Sequence, residues 1–298
     1  MINKTFQQIT PTDFLDKENR CDYNIDSHMK RVWLVQLELL YIFSDVCRQH
    51  NLKFWLIGGS LLGAVRHKGY IPWDDDIDVV MPRRDYEILC ANAKWFDGKI
   101  SLHLPNNRER YYEGWARLHN TETAVLYPNY KKEGSKQGIY LDILPLDDFS
   151  TRDVKRRKRI AFLNTLGHSI SYNINSNIFL KLFSLLNHLI YFCKPEKLFK
   201  RVNKLCESNP RDVTDKCIVK VCTVYPVKKN IFSKEDFSET LFVPFEFITV
   251  PIPKGFDHIL SMLYGDYHSL PPSEKRGTWH DFIFSTDKSF KDFQKKAK

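Results

Sequence analysis

The sequence predicts an α+β fold: a mixed β-sheet flanked by helices, with a helical insertion in its second half. Three patterns carry this. Apolar residues recur at helical spacing in two segments before residue 100. Short strand-like runs then crowd residues 100–144. From 152 to 208 the pattern is helical and basic. A chain of 298 residues can bury a large core in one domain or two, and 43% hydrophobic with 14% aromatic residues excludes a disordered chain.

Taken in order, residues 1–26 read as a loop-rich lead-in. Asp26 or Ser27 caps a helix running to about His50, and Trp33, Leu37, Leu40, Phe43 and Cys47 recur on its core face. A buried strand is expected at 52–57, a short helix at 60–67, a second strand at 77–81, and a helix over 83–96 that buries Tyr86, Leu89, Ala93 and Phe96. Strands are expected near 100–104, 114–118, 123–127 and 138–144, and Asp147 and Asp148, after Pro145, read as turn acids. The helical stretch 152–208 is broken at 173–177 and at Pro195. Short strands alternate with prolines over 241–253, then a helix at 256–264 leads into a tail loop. The organisation expected is a core with its N-terminal helix over 1–150, a basic helical region over 151–235, and a segment packing back on the core over 236–298.

The net charge is +9, and residues 152–159 hold six basic side chains and one acid. The basic run 155–159 suits an anionic partner, whether nucleic acid, acidic membrane lipid or a phosphorylated acceptor, with a solvated helix face as the plain alternative; the apolar, aromatic stretch 178–193 that follows reads first as a buried core helix and, beside the basic run, as a membrane-surface helix. The seven cysteines form no C-x-x-C, and the spacing of Cys206, Cys217 and Cys222 does not fit common zinc modules, so reduced thiols of a cytoplasmic protein are expected. The first residues carry no apolar stretch of signal-peptide length, and no run reaches the ~18 apolar residues of a spanning helix.

The chemistry concentrates in residues 54–78. An apolar strand enters Gly58-Gly59-Ser60 and a short helix; a Gly/Pro turn follows, then Asp76-Ile77-Asp78. Strand alternation puts Asp76 and Asp78 on one face, where two like charges call for a cation between them. Mg²⁺ favours a few carboxylates plus substrate phosphates, with Mn²⁺ as a substitute. The glycines let backbone N–H groups approach a phosphate, and Ser60 opens a helix. Asp142, a single acid among apolar neighbours of a later strand, completes a set able to hold two metals. Asp74 and Asp75 lie near the Pro72 turn and receive a supporting role. Arg66, His67 and Lys68 follow the short helix closely enough to reach phosphates, although a helix C-terminus also favours such charge. Arg117, in an apolar strand, is costly without an anion.

Strand, Gly-Gly-Ser, helix, Asp-x-Asp strand and a later strand acid, in that order, resemble the polymerase-beta-like nucleotidyltransferase superfamily. The wording of residues 58–79 is similar to the hallmark of the LicD family, which includes phosphocholine transferases and is related to fukutin and fukutin-related protein. The resemblance continues at Trp115-Ala116-Arg117-Leu118, at 138–146, and at Leu263-Tyr264-Gly265-Asp266-Tyr267 with Pro271, Pro272 and Arg276. It implies a nucleotidyltransferase-like core and transfer of a substituted phosphate, such as phosphocholine, from a CDP-linked donor to the hydroxyl of a cell-surface glycan or a lipid-linked precursor, with release of CMP. Asp76, Asp78 and Asp142 would be the catalytic and metal-binding residues; Gly58, Gly59, Ser60, Arg66, His67, Arg117, Arg276 and His280 would bind substrate. Choline would call for an aromatic cage, and Tyr111, Tyr112, Trp115 and Tyr140 are candidates. A nucleotidyltransferase that modifies a small hydroxyl compound and releases pyrophosphate is the enzymatic rival. A basic module binding membrane or nucleic acid is the non-enzymatic one, and three acids in apolar strands speak against it.

Overall fold

The computed structural model describes residues 4–104, 115–126, 137–149, 204, 216–219, 230–278 and 282–294. Helix α1 (Lys4–Ile9) buries Phe6, which packs on Tyr41 and Phe247. Strands β1 (Glu18–Arg20) and β2 (Tyr23–Ile25) then form an antiparallel hairpin where the sequence predicted only loops. Its two-residue turn, Cys21-Asp22, has φ of 54° and 57°, as a type I′ turn requires. Without an Asn-Gly signal, and with strands too short to show alternation, the hairpin is hidden from the sequence.

Helix α2 (Ser27–Gln49) begins where the cap signal places it: the Asp26 side chain accepts from the Met29 N–H at 2.8 Å. Its core face is buried at Trp33, Leu37, Leu40, Phe43 and Cys47, as the spacing requires. Strand β3 (Trp55–Leu56) is shorter than expected. Helix α3 (Gly58–Leu62) widens into a π-helical turn over Gly63–His67. Strand β4 (Asp78–Pro82) leads into α4 (Arg83–Ala91), and the helix expected to reach residue 96 breaks there into a 3₁₀ turn; Tyr86, Leu89 and Phe96 are buried, Ala93 only partly. Strands β5 (Ile100–His103), β6 (Ala116–Asn120) and β7 (Ala124–Leu126) follow.

Strand β8 (Tyr140–Phe149) runs on through Pro145, so Asp147 and Asp148 are strand residues and not turn acids; Asp147 is buried. A proline ends the usual strand pattern, which explains the misreading. Strands β9 (Lys216–Val219), β10 (Ile231–Ser233), β11 (Thr240–Phe245) and β12 (Ile248–Pro253) precede α5 (Phe256–Tyr264). The expected tail loop contains β13 (Ile283–Ser285), paired with β7, and α6 (Phe290–Gln294).

The chain forms two compact units. The larger comprises Met1–His103, Arg117–Ile143 and Asp236–Lys298. In it β3 pairs antiparallel with β4, β4 neighbours the start of β8, β8 neighbours β6, and β6 pairs antiparallel with β5. The β11–β12 hairpin is a separate two-stranded sheet. In the smaller unit the end of β8 pairs with β9, and β9 with β10, both antiparallel. Helices and sheet together make the α+β class expected. The basic run 155–159, the apolar stretch 178–193, Tyr111, Tyr112 and His280 lie outside the described residues. Among the described residues no helix is long and apolar enough to cross a membrane.

Candidate active site

From Asp74 to Val79 burial alternates: Asp74, Asp76 and Asp78 are half-buried, whereas Asp75, Ile77 and Val79 are buried. Strand-like parity thus extends four residues ahead of the β4 ladder and includes Asp74, the acid the Pro72 turn argued against. Carboxylate oxygens of Asp74, Asp75 and Asp76 all lie within 4.8 Å of one another. Asp78 feels the charges of Asp76, Asp142 and Asp74. Asp142 is brought alongside by its own backbone, whose N–H donates to the Ile77 carbonyl at 3.0 Å.

The Gly-Gly pair faces this corner directly. A Cβ on Gly59 would stand 2.8 Å from Asp74 Oδ2, and one on Gly58, where φ is +60°, 3.7 Å from Asp78 Oδ2. At Gly59 a carboxylate occupies the space a side chain would fill, whereas Gly58 is favoured by its left-handed φ. Ser60 does not offer its hydroxyl to solvent: it is buried, and its Oγ accepts the Asp78 N–H at 2.9 Å. It positions the carboxylate strand.

Arg117 and Asp142 are both buried. The guanidinium grips the carboxylate through Nε at 2.5 Å and the second terminal nitrogen at 3.1 Å, lies 4.0 Å from the Tyr140 ring centre, and reaches Gln137 at 3.3 Å. The anion that offsets the cost of Arg117 in its strand is this carboxylate.

Burial raises the Asp74 carboxyl well above the ordinary range, and Asp76 and Asp75 push it further. Asp78 is raised the same way, by burial first, then by Asp76, Asp142 and Asp74, with Arg117 pulling back. Hard oxygen donors that resist ionising together fit a divalent cation, whose charge would remove the repulsion.

Residues that sequence reasoning missed hold this corner in place. Trp33 Nε1 donates to the Asp74 carbonyl at 2.9 Å, and Gln36 Nε2 to the Asp75 carbonyl at 2.7 Å. The Tyr70 hydroxyl donates to Gln36 Oε1 at 3.0 Å, and its ring stacks on Trp33 at 4.4 Å. The helical period placed Trp33 in the core but said nothing of its indole N–H. Glu246 accepts from the Tyr70 N–H at 2.9 Å and from Arg20 at 2.8 Å.

Arg66, His67 and Arg276 form a second group. Arg66 Nε donates to His67 Nε2 at 2.9 Å, and its terminal nitrogen to the Tyr267 and Ser269 carbonyls. Arg276 donates to the Pro271 and Cys21 carbonyls and lies 5.6 Å from the Trp73 ring centre. Burial, with Arg66 and Arg20 nearby, pushes His67 down to about 4, so the ring is neutral near pH 7. Lys68 is exposed. Trp73, buried between His67 and Tyr23, is a packing residue.

Residues 51–169 match the family described as LicD/FKTN/FKRP, nucleotidyltransferase domain. The lipopolysaccharide cholinephosphotransferase LicD of Haemophilus influenzae is 28% identical over 265 residues, covering 83% of this chain and 94% of that protein. The human ribitol 5-phosphate transferase FKRP is 59% identical over 29 residues, 10% of this chain and 6% of that protein. Both relatives are named as transferases of a phosphate-bearing group. The chain is thus similar to the LicD family over the matched domain, and to that relative along most of its length.

Proposed function

We propose that the protein transfers a substituted phosphate, phosphocholine or a similar alcohol phosphate, from a CDP-linked donor to a hydroxyl of a cell-surface glycan or its lipid-linked precursor. The observation that carries this is the run of alternating half-buried carboxylates, Asp74, Asp76 and Asp78, laid over Gly58 and Gly59 with Asp142 beside them. The named activities of the relatives support the reaction class. The larger unit is read as a nucleotidyltransferase-like core, in keeping with the matched family.

Asp76, Asp78 and Asp142, with Asp74, would hold Mg²⁺ or Mn²⁺, which when bound neutralises phosphate oxygens and lowers the pKa of an attacking hydroxyl. Arg117 fixes the orientation of Asp142 through its two N–H bonds. Ser60 fixes the start of β4, and Trp33 and Gln36 fix the peptide that carries Asp74 and Asp75. Positioning and charge placement are what this chemistry asks of a protein. In the balanced reaction the acceptor oxygen bonds to phosphorus, the bond from phosphorus to the CMP oxygen breaks, and the hydroxyl proton is released. We read the enzyme as cytoplasmic, with the basic run 155–159 drawing it to an anionic membrane face.

Incubation with Mg²⁺ and a panel of CDP-alcohols should release CMP. Pyrophosphate released from a nucleoside triphosphate, with no CMP from any CDP-alcohol, would replace this reading with nucleotidyl transfer, the reading that the "nucleotidyltransferase" of the family description favours.

A further inference from the structure

Arg66 and Arg276 reach one place from opposite ends of the larger unit. Arg66 closes the π-helical turn after α3, and Arg276 ends a 3₁₀ turn near the C-terminus. Both are half-buried. A chain of short contacts joins them: Arg66 to His67, His67 Nδ1 to Cys21 Sγ at 3.8 Å, and the Cys21 carbonyl to Arg276 at 2.8 Å. Arg276 is close enough to disfavour the charge on Arg66. Among the described residues, neither guanidinium hydrogen-bonds or ion-pairs with a carboxylate. Their partners are the carbonyls of Cys21, Tyr267, Ser269 and Pro271, and a neutral imidazole.

That arrangement differs from those of Arg20 and Arg117. Elsewhere in this unit Arg20 faces Glu18 and Glu246, and Arg117 faces Asp142. Carbonyl oxygens orient a guanidinium and do not neutralise it. His67 adds no neutralisation: its Nε2 accepts from Arg66, so the ring proton sits on Nδ1. Two half-buried like charges, aimed by backbone at one region and with no carboxylate partner among the described residues, cost free energy that an anion would recover. Guanidinium forks match phosphate oxygens in plane and spacing.

We propose that Arg66 and Arg276 together form the seat for a phosphate oxyanion of the substrate. The seat is joined in sequence to the carboxylate corner, because Trp73, which lies beneath Arg276 and beside His67, directly precedes Asp74. Its chemistry is separate, since it needs no cation. The inference rests on the phosphotransfer reading only for what carries the phosphate, donor or acceptor.

Equilibrium binding to the full chain in EDTA, at low and fixed ionic strength, tests it with CDP and glucose 6-phosphate as probes. The wild type should bind at least one; tighter CDP binding assigns the seat to the donor, and tighter glucose 6-phosphate binding to a phosphorylated acceptor. Arg276→Gln and Arg66→Gln should each weaken that binding about tenfold or more, and Arg276→Lys by less, because the charge stays and the fork is lost. Unfolding midpoints of the same samples identify any variant that fails to fold, and Arg276→Lys then carries the comparison. Asp78→Asn should bind the probe in EDTA like the wild type. If that variant kept turnover, the phosphotransfer reading would fall while the seat stood. Wild type that binds neither probe, or folded variants that bind as the wild type does, would overturn the seat.

Discussion

At the scale of single residues, Asp74 and Asp78 hold protons that a carboxyl in water would have lost. The unfolded chain releases them near pH 4, the folded metal-free chain only well above that. The folded state therefore binds more protons in between, and the stability of the metal-free protein falls as pH rises through this window. A bound divalent cation replaces those protons. The rise in unfolding midpoint on adding Mg²⁺ should accordingly grow as pH is raised from the ordinary carboxyl range near 4, with protons released on binding at the lower pH; a rise independent of pH throughout would count against the site. Asp78→Asn should lower turnover more than about 100-fold, the upper range for groups that only support a metal ligand, while the metal-free protein stays folded and gains slightly in stability. Near-normal turnover with Mg²⁺ as the sole metal would refute the assignment. Much of this corner is legible in sequence, because parity alone puts Asp76 and Asp78 together and an acid amid apolar residues marks Asp142. Two features are not. The Pro72 turn hides that strand parity reaches back to Asp74, which therefore reads only as a supporting acid, and the Arg117–Asp142 pair joins residues 25 apart, which no local pattern encodes.

Among elements, the turn from α3 into its π-helical continuation is a tight backbone fit. A Cβ on Gly63 would stand 2.4 Å from the Gly69 carbonyl oxygen and 3.3 Å from the Ile71 nitrogen. Both are backbone atoms and cannot swing aside. The wider π turn returns the chain so that Gly69 N–H bonds to the Gly63 carbonyl at 3.3 Å, closing the loop that carries Tyr70 to Trp73. Gly63→Ala should thus cost about 1–3 kcal/mol, the range for overpacking, read from denaturant midpoints at unchanged m value. A shift below about 0.5 kcal/mol would mean the turn opens freely. The sequence identifies the glycines through the phosphate their backbone could approach; that carboxylates of Asp74 and Asp78 stand over them is visible only in the fold. Helix α2 was legible because cap and period agree over 23 residues. The β1–β2 hairpin and β13 were not, since three-residue strands carry no period and their pairing is decided by partners elsewhere.

Across the larger unit, distant stretches of chain are tied at Glu246. It sits in the turn between β11 and β12 with φ of 51°. Its carboxylate takes two N–H bonds from Arg20 at 2.8 and 3.2 Å and the Tyr70 N–H at 2.9 Å, and its own N–H donates to the Lys68 carbonyl at 2.8 Å. One side chain thus joins the first hairpin, the loop before the carboxylates and the C-terminal hairpin. Gly69 must be glycine beneath it, since a Cβ there would meet Oε1 at 2.1 Å. Nothing in the sequence near residue 246 marks it, because all its partners are 176 or more positions away. Arg20 keeps Glu18 as a partner, so removing Glu246 does not strand it; the loss is the charge-assisted bonds and the support of Tyr70. Glu246→Ala should destabilise the protein by about 3 kcal/mol, and Glu246→Gln by less, because an amide oxygen still accepts the Tyr70 N–H. If the brace also holds the carboxylates, through Tyr70, Gln36 and the Asp75 carbonyl, the alanine variant should need a higher Mg²⁺ concentration for half-maximal turnover at a temperature where it is still folded. Unchanged Mg²⁺ dependence together with the stability loss would confine Glu246 to the scaffold, and unchanged stability would remove it from both roles.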